Sequence, residues 1–166
     1  LHPRVRRQRQ MCIRDRLYVT DASLCISGKE GDREVPIREF ITFVRRTVLK
    51  PDEIVTGIKV PYVEGLKGIF TKVARRREVD LSTICGTVAR LGDSYRLAFG
   101  AVAPTPVRMP KTEALLEGKT LTPELIEEAA KLARTEVSPI DDVRASKEYR
   151  LDVVEVIVRR SLTQLA

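Results

Sequence analysis

The sequence lacks long apolar runs: eighteen or more consecutive apolar residues occur nowhere among its 166 residues. A helix that spans a bilayer needs about 20 such residues, and a signal peptide needs an apolar middle region that the N-terminus does not have. We therefore expect a cytoplasmic protein with no membrane span. Hydrophobic residues still make up 43% of the chain, which is enough for the core of one domain or two small ones.

Metal-binding and nucleotide-binding motifs are also missing. The cysteines, Cys12, Cys25 and Cys85, form no CxxC pair, and the single histidine is His2. Structural metal sites need closely spaced Cys and His ligands, so we predict no metal site. We also predict no catalytic residue, because a nucleophilic cysteine would need a base and His2 lies in the basic N-terminal stretch. Glycine-rich phosphate loops such as GxGxxG and GxxxxGK[ST] are absent. If a nucleotide cofactor is bound, most of its site therefore lies outside this sequence.

The positive charge is concentrated at the N-terminus. The net charge is +7, but residues 1–16 hold six arginines and one aspartate, which leaves 24 basic and 22 acidic residues for 17–166. Residues 1–16 show no hydrophobic period and predict a disordered basic tail. This tail is either an arm for RNA, DNA or anionic lipid, or foreign sequence from a truncated or misassembled gene; the abrupt change of composition at Leu17 favours foreign sequence.

Residues 17–62 predict a small β-rich unit. "ASLCIS" and "REVPI" flank the glycine-containing turn "GKEGD" and indicate a hairpin. A short helix is predicted over Arg38 to Arg46, followed by a strand from Ile54 to Val60 in which Val55 and Ile58 point to opposite faces. The segment 61–68, "PYVEGLKG", is the predicted boundary.

Residues 63–166 predict an α+β unit. Three antiparallel strands are expected at Ile69 to Arg75, Leu81 to Leu91 and Tyr95 to Ala103, because short turns join them. Three helices follow: one begins near Pro110, and the other two are capped by Thr122 and Ser146. The buried stripe of the last helix is expected to contain four residues, Tyr149, Val153, Val156 and Ile157. The helices should pack on one face of the sheet and leave the other face free.

The stretch "FTKVARRREVD", 70–80, could bind either a planar anionic ligand or nucleic acid. Side chains alternate along a strand, so Phe70 and Lys72 should point away from the helices, in a row suited to a planar anionic ligand. Nucleic-acid binding would need several cations on one face. Alternation along the strand puts neighbouring arginines of the run 75–77 on opposite faces. Glu78 and Asp80 can pair with Arg76 or Arg77, which is typical of a solvated strand end.

The stretch "SPIDDVRASKEYR", 138–150, places two carboxylates before a capped helix. Paired acids can perform general acid–base catalysis. Adjacent Asp141 and Asp142 more often serve the positive end of the helix dipole and pair with Arg144 or Arg150, which is the interpretation we favour.

Four segments in order, "LKPDEIVTGIKVP", "FTKVARRREVDLSTICGTVAR", "LAFGAVAPTPVRMPKTEALLEGK" and "SPIDDVRASKEYR", resemble the FAD-binding medium subunit of the molybdenum hydroxylases, the family of xanthine dehydrogenase and carbon monoxide dehydrogenase. The resemblance covers about Leu17 to Ala166. It implies an oxidoreductase subunit that passes electrons from [2Fe–2S] clusters through FAD to an external acceptor. It also implies a large partner subunit with molybdopterin and a small partner subunit with the clusters.

The resemblance further implies which residues contact the flavin. Lys72 falls on the lysine of the family's F-x-K-x-x-x-R-R-E-x-D pattern, Val55 on the aliphatic residue after D-E-I, and Phe70 beside the ring. A fixed ammonium stabilises the anionic reduced flavin, and apolar neighbours tune its potential.

The resemblance also implies a missing part. Such subunits begin with a further FAD-binding half that holds the pyrophosphate, and Leu17 corresponds to the middle of the second FAD subdomain. We therefore expect an N-terminally truncated chain that binds FAD weakly or not at all. Residues 17–62 would be a remnant of the second FAD-binding subdomain, and residues 63–166 the C-terminal domain. The alternative is a small α+β RNA-binding or protein-interaction module that uses the basic arm.

Overall fold

The computed structural model describes residues 13–76 and 80–166. The elements in chain order are α1 (Arg14–Val19), β1 (Ser23–Gly28), β2 (Gly31–Pro36), α2 (Ile37–Phe40), β3 (Ile41–Phe43), β4 (Arg46–Thr47), β5 (Ile54–Lys59), β6 (Lys67–Val73), β7 (Ile84–Leu91), β8 (Ser94–Gly100), β9 (Val107–Arg108), α3 (Pro110–Leu116), α4 (Pro123–Thr135) and α5 (Lys147–Leu165). Among the described residues, no helix is both long and apolar enough to cross a membrane.

The N-terminal sheet has the strand order β2-β1-β5, and both pairs are antiparallel. The predicted hairpin is confirmed: Gly28 pairs with Gly31, whose φ of +117° lies in a region that favours glycine. The predicted strand at 54–60 is also present, as β5. A bulge at Thr56, opposite the step from Cys25 to Ile26, changes the facing of β5, however, since Val55 pairs with Ile26 and Ile58 with Leu24. Val55 and Ile58 therefore share one face, and the predicted strict alternation is wrong.

The predicted helix from Arg38 to Arg46 is wrong. Only one helical turn forms, α2, and the chain then makes the hairpin β3–β4. The residues after this turn, Ile41, Thr42 and Phe43, are β-branched or aromatic, and such side chains favour extended backbone. Arg45 makes the tight turn with a φ of +59°.

The C-terminal sheet has the order β6-β7-β8-β9, and all its pairs are antiparallel. The three predicted strands are present, and β9 adds a fourth, two-residue strand that the sequence analysis missed. All three predicted helices form, and they cover one face of the sheet, as expected. Phe99 is fully buried in this core, and its ring lies where a Cβ on Gly86 would be only 2.5 Å away. Gly86 therefore makes room for Phe99.

The helix caps follow the prediction. Thr122 Oγ1 accepts a hydrogen bond from the Leu125 amide at 3.2 Å, and Ser146 Oγ accepts one from the Tyr149 amide at 3.3 Å. The predicted stripe of α5 is partly wrong, because Tyr149 is 48% exposed and the neighbouring Arg150 is buried instead. The core side of α5 consists of Val154, Ile157, Val158, Leu162 and Leu165.

The second face of the C-terminal sheet is not free, contrary to the prediction. Helix α1 lies against it, and Tyr18 and Val19 join an apolar cluster with Ala89 and Ala98 of the sheet. Residues 14–16 are helical, which differs from the disorder predicted for 1–16; residues 1–12 lie outside the described part of the chain. The short helix escaped the sequence analysis because only two of its six residues are large and buried apolar side chains.

Candidate functional site

The predicted ligand-facing row lies on β6. Phe70 pairs with Thr87 of β7, and Lys72 pairs with Cys85, so these four side chains share one face of the sheet. Ile69 and Val73, which alternate with them, pack against the helix-covered core. The predicted division of side chains along β6 is therefore confirmed.

Lys72 is held by the loop that follows β6. Its Nζ donates a hydrogen bond to the backbone carbonyl of Asp80 at 2.7 Å. A lysine ammonium carries three N–H donors, and this contact uses one of them. The half-buried ammonium is thus fixed at one point and retains donors for a ligand.

Asp80 closes this loop through its carboxylate. Oδ2 accepts a hydrogen bond from the Arg76 amide at 3.0 Å, and Oδ1 accepts one from the Leu81 amide at 2.8 Å. Burial alone would raise the pKa of Asp80, but the two amide donors and the charges of Arg76 and Lys72 lower it. Arg77 and Glu78 lie outside the described residues. Among the described residues, the Asp80 carboxylate accepts a hydrogen bond from the backbone amide of Arg76. The predicted contact was an ion pair with an arginine side chain.

Helix α1 covers the other end of this row. The Arg16 guanidinium carbon lies 3.8 Å from the centroid of the Phe70 ring, which is cation–π distance. Asp15 is buried and accepts a hydrogen bond from Thr87 Oγ1 at 3.3 Å. Burial raises the pKa of Asp15 to about 6, although the hydrogen bonds from the Arg16 amide and Thr87 lower it in part. Neither Asp15 nor Arg16 was predicted as a site residue, because both fall in the stretch 1–16 that was predicted to be a disordered tail.

Val55 lies apart from this row, on the N-terminal sheet. It is half-buried and packs against the apolar cluster that contains Ala89 and Ala98. Ala89 and Ala98 occupy the same face of the C-terminal sheet as Phe70 and Lys72, according to the strand register. The structure therefore places Phe70 and Lys72 together and puts Val55 in the adjoining cluster.

An ion network joins α1 to the C-terminal sheet. Asp21 contacts Arg96 Nη1 at 2.9 Å and Arg108 Nη1 at 3.1 Å. The same arginines donate to the carbonyls at the end of α1: Arg96 to Val19 at 3.0 Å and Arg108 to Tyr18 at 2.9 Å. These arginines satisfy carbonyls that a helix end leaves without partners. Only the folded chain brings these distant positions together, so sequence reasoning did not find them.

Arg108 has a further partner in α3. Its Nε and Nη2 donate to the two carboxylate oxygens of Glu113 at 2.6 and 2.8 Å. This is the bidentate geometry that favours arginine over lysine. The network thus continues from α1 through the sheet to the helical layer.

The acidic pair of the 138–150 segment behaves as predicted. Asp141 Oδ1 accepts a hydrogen bond from the Lys147 amide in the first turn of α5 at 2.7 Å. Asp142 lies 3.0 Å from Arg144 Nη1 and 2.6 Å from Arg150 Nη2. Burial would raise the pKa of Asp142, but donors from Arg144, Arg150 and Ala145 lower it to about 2. Both carboxylates have structural partners.

A cleft of about 450 Å³ opens beside this segment. Its wall combines the tip of the β3–β4 hairpin, at Phe43 and Val44, with Ser82 and the Asp142–Arg150 pair. Ser82 follows Asp80 and Leu81 in the loop that holds Lys72, so this cleft and the Lys72 site share one segment of the chain.

The described residues offer no cradle for a pyrophosphate. Glycines with positive φ occur at 31, 65, 92 and 118, and each is isolated from the others along the chain. A phosphate cradle needs successive backbone N–H groups that point to one place. The isolated glycines of the described residues therefore provide no such cradle.

Two sequence families match the chain. Residues 69–165 match the CO dehydrogenase flavoprotein C-terminal domain, and residues 15–63 match the FAD binding domain in molybdopterin dehydrogenase. The first match alone spans more than half of the chain. The chain therefore belongs to the family of FAD-binding medium subunits of the molybdenum hydroxylases.

Individual relatives agree with this assignment. The glyceraldehyde dehydrogenase medium chain of Sulfolobus acidocaldarius is 29% identical over 90% of this chain and 55% of its own length. The xanthine dehydrogenase FAD-binding subunit of Escherichia coli O157:H7 is 32% identical over 88% of this chain and 52% of its own length. The chain thus spans about half the length of these relatives. They lend no support to the RNA-binding alternative.

A solved structure shares the fold. Carbon monoxide dehydrogenase from Hydrogenophaga pseudoflava, in a form that lacks the Mo-pyranopterin moiety of its cofactor, superposes with a TM-score of 0.83 at 28% identity. The match covers 90% of this chain and 54% of that chain.

Proposed function

We propose that the complete protein is the flavin subunit of a three-subunit oxidoreductase of the molybdenum hydroxylase type. FAD bound to it would supply the redox chemistry that carries electrons from [2Fe–2S] clusters to an external acceptor. A large subunit would hold the molybdopterin centre, and a small subunit would hold the clusters. The family membership of both halves of the chain supports this proposal, as do the names of its relatives. A cytoplasmic location remains a prediction.

The observation that carries the proposal is the row on β6. Lys72 offers a half-buried ammonium that is fixed by one hydrogen bond, and Phe70 offers a ring two residues away on the same face. A fixed positive charge stabilises an anionic reduced ring, and an apolar neighbour excludes water from it. We assign Lys72 and Phe70 to flavin contact, and Val55 to apolar packing near the ring.

The proposal is tested with Lys72→Ala in the complete subunit, purified with its partner subunits. We expect less flavin per subunit and a lower midpoint potential of the flavin that remains, because the reduced form loses a nearby charge. The control is Lys67→Ala, which removes an exposed lysine from the same strand. Unchanged flavin content and unchanged potential in Lys72→Ala would overturn the assignment, and a colourless wild-type complex would overturn the whole proposal.

We also propose that the two regions meet within residues 61–68. The gap between the family matches, from 64 to 68, supports this boundary. Weak or absent FAD binding by the present chain is likewise a prediction; fluorescence titration of the chain with FAD measures it.

A further inference from the structure

The loop after β6 is closed by three hydrogen bonds that meet at one residue. Asp80 accepts the Arg76 and Leu81 amides with its two carboxylate oxygens, and its own carbonyl accepts from Lys72 Nζ. The carboxylate therefore fixes the backbone on both sides of Asp80. The direction of its carbonyl, which is the acceptor for Lys72, depends on that backbone.

The ammonium of a lysine needs a hydrogen-bond acceptor in a fixed position if its charge is to stay beside one part of a ligand. The side chain has four rotatable methylene groups, and its ammonium is a compact point charge. Stabilisation of a ligand charge is strongest when the stabilising group is already positioned, since no reorganisation is then needed. Among the described residues, the hydrogen-bond acceptor of the Lys72 ammonium is the Asp80 carbonyl.

We infer that Asp80 is a positioning residue for Lys72, so that its carboxylate sets the place of the ammonium beside the flavin without touching the cofactor. This inference rests on the proposed function, because Lys72 must first be a flavin contact. The inference gives Asp80 a role in placing Lys72. The predicted pairing of Asp80 with Arg76 or Arg77 would give it no such role.

The chemistry of the side chain explains why an aspartate occupies this position. Two amide N–H groups point at it, and a carboxylate has an acceptor oxygen for each. An asparagine would offer one oxygen and one NH₂ group, so one amide would face a donor. Asp80→Asn should therefore keep part of the loop geometry, and Asp80→Ala should lose both contacts.

The test is a double-mutant cycle in the complete subunit, assembled with its partner subunits. The variants are Lys72→Ala, Asp80→Ala, the double variant, and Asp80→Asn as the conservative replacement. The control is Asp93→Ala. Asp93 is an exposed aspartate in the β7–β8 turn, so it follows β7, whereas Asp80 precedes β7. The measured quantities are the flavin content per subunit and the midpoint potential of the flavin, together with thermal stability.

If Asp80 acts through Lys72, Asp80→Ala lowers the flavin potential by most of the shift seen in Lys72→Ala. The double variant then shows no further shift, Asp80→Asn lies between Asp80→Ala and the wild type, and Asp93→Ala matches the wild type. A merely structural role would lower thermal stability and leave the potential of the bound flavin unchanged, and that result overturns the inference.

The remaining outcomes separate this inference from the proposed function. Additive shifts in the double variant would show that Asp80 acts independently of Lys72, and they overturn the inference alone. An unchanged potential and flavin content in Lys72→Ala overturn the flavin assignment, and the inference falls with it.

Discussion

The C-terminal sheet buries one whole face under three helices, whereas the N-terminal sheet leaves Ile54 and Ile58 more than half exposed. Among the described residues, the first region has a core of seventeen buried residues, with Phe99, Leu97 and Met109 fully enclosed. The second shares its smaller cluster with α1 and with two alanines of the other sheet. Since buried apolar area dominates folding free energy, most of the stability lies in residues 67–166, and the N-terminal region depends on its neighbours.

The largest expected effect comes from removing a ring from each region. Phe99→Ala should lower the free energy of unfolding by roughly 3–5 kcal/mol, because it leaves a cavity in the main core. Phe43→Ala, at a ring that is 54% exposed, should cost under about 1 kcal/mol. Urea denaturation followed by circular dichroism measures both. Equal losses would contradict the proposed concentration of stability in the C-terminal region.

The second effect concerns the contact between the regions and depends on pH. The folded pKa of Asp15 is about 6 because of burial, while an unfolded aspartate titrates near 3.9. The folded chain therefore binds the extra proton between about pH 4 and pH 6, and the contribution of Asp15 to stability falls as the pH rises through this range. Asp15→Asn should abolish this slope and stabilise the protein at pH 7 by roughly 1–3 kcal/mol.

Denaturation midpoints between pH 4 and pH 7 check this prediction. The matched control is Asp93→Asn, at an exposed position, which should retain the slope. If Asp15→Asn keeps the wild-type pH dependence, Asp15 does not titrate as its burial indicates.

The smallest effect is expected at the ion network that joins α1 to the C-terminal sheet. Asp21→Ala removes a partner from Arg96 and Arg108, although Glu113 still binds Arg108. We expect a loss of about 1 kcal/mol, since Asp21 is partly exposed and solvent screens its charge. Hydrogen exchange should accelerate in α1 and leave β7 and β8 unchanged. The control is Asp52→Ala, on an exposed turn, and acceleration in β7 would contradict the expected confinement to α1.

The comparison also explains which parts of the structure were predictable from sequence. In the C-terminal region, local signals agree with tertiary packing: Thr122 and Ser146 cap the predicted helices, and alternation along β6 assigns Ile69 and Phe70 to the correct faces. In the N-terminal region, tertiary contacts override local patterns. The bulge lies in β5 at Thr56, which has no partner on β1, and it decides the facing of Val55. The isolated Gly57 beside it was a local sign of a bulge, but strict alternation was assumed through it.

The candidate site shows the same limit. Alternation was enough to place Phe70 and Lys72 together. The contacts of Lys72 with the Asp80 carbonyl and of Phe70 with Arg16 depend on the path of a loop and on the docking of a helix. These contacts join residues that only the tertiary fold brings together. No periodic pattern in a single sequence predicts them.

The arginines that end helix α1 have a practical consequence for dissecting this protein. Arg96 and Arg108 supply donors to Tyr18 and Val19 from beyond the segment where the two families meet. Expression of either family segment alone would remove the Arg96 donor from the Val19 carbonyl and the Arg108 donor from the Tyr18 carbonyl, although Arg108 would keep Glu113. We therefore expect a cut between the two family segments to destabilise the N-terminal piece more than the C-terminal piece, which keeps its own core.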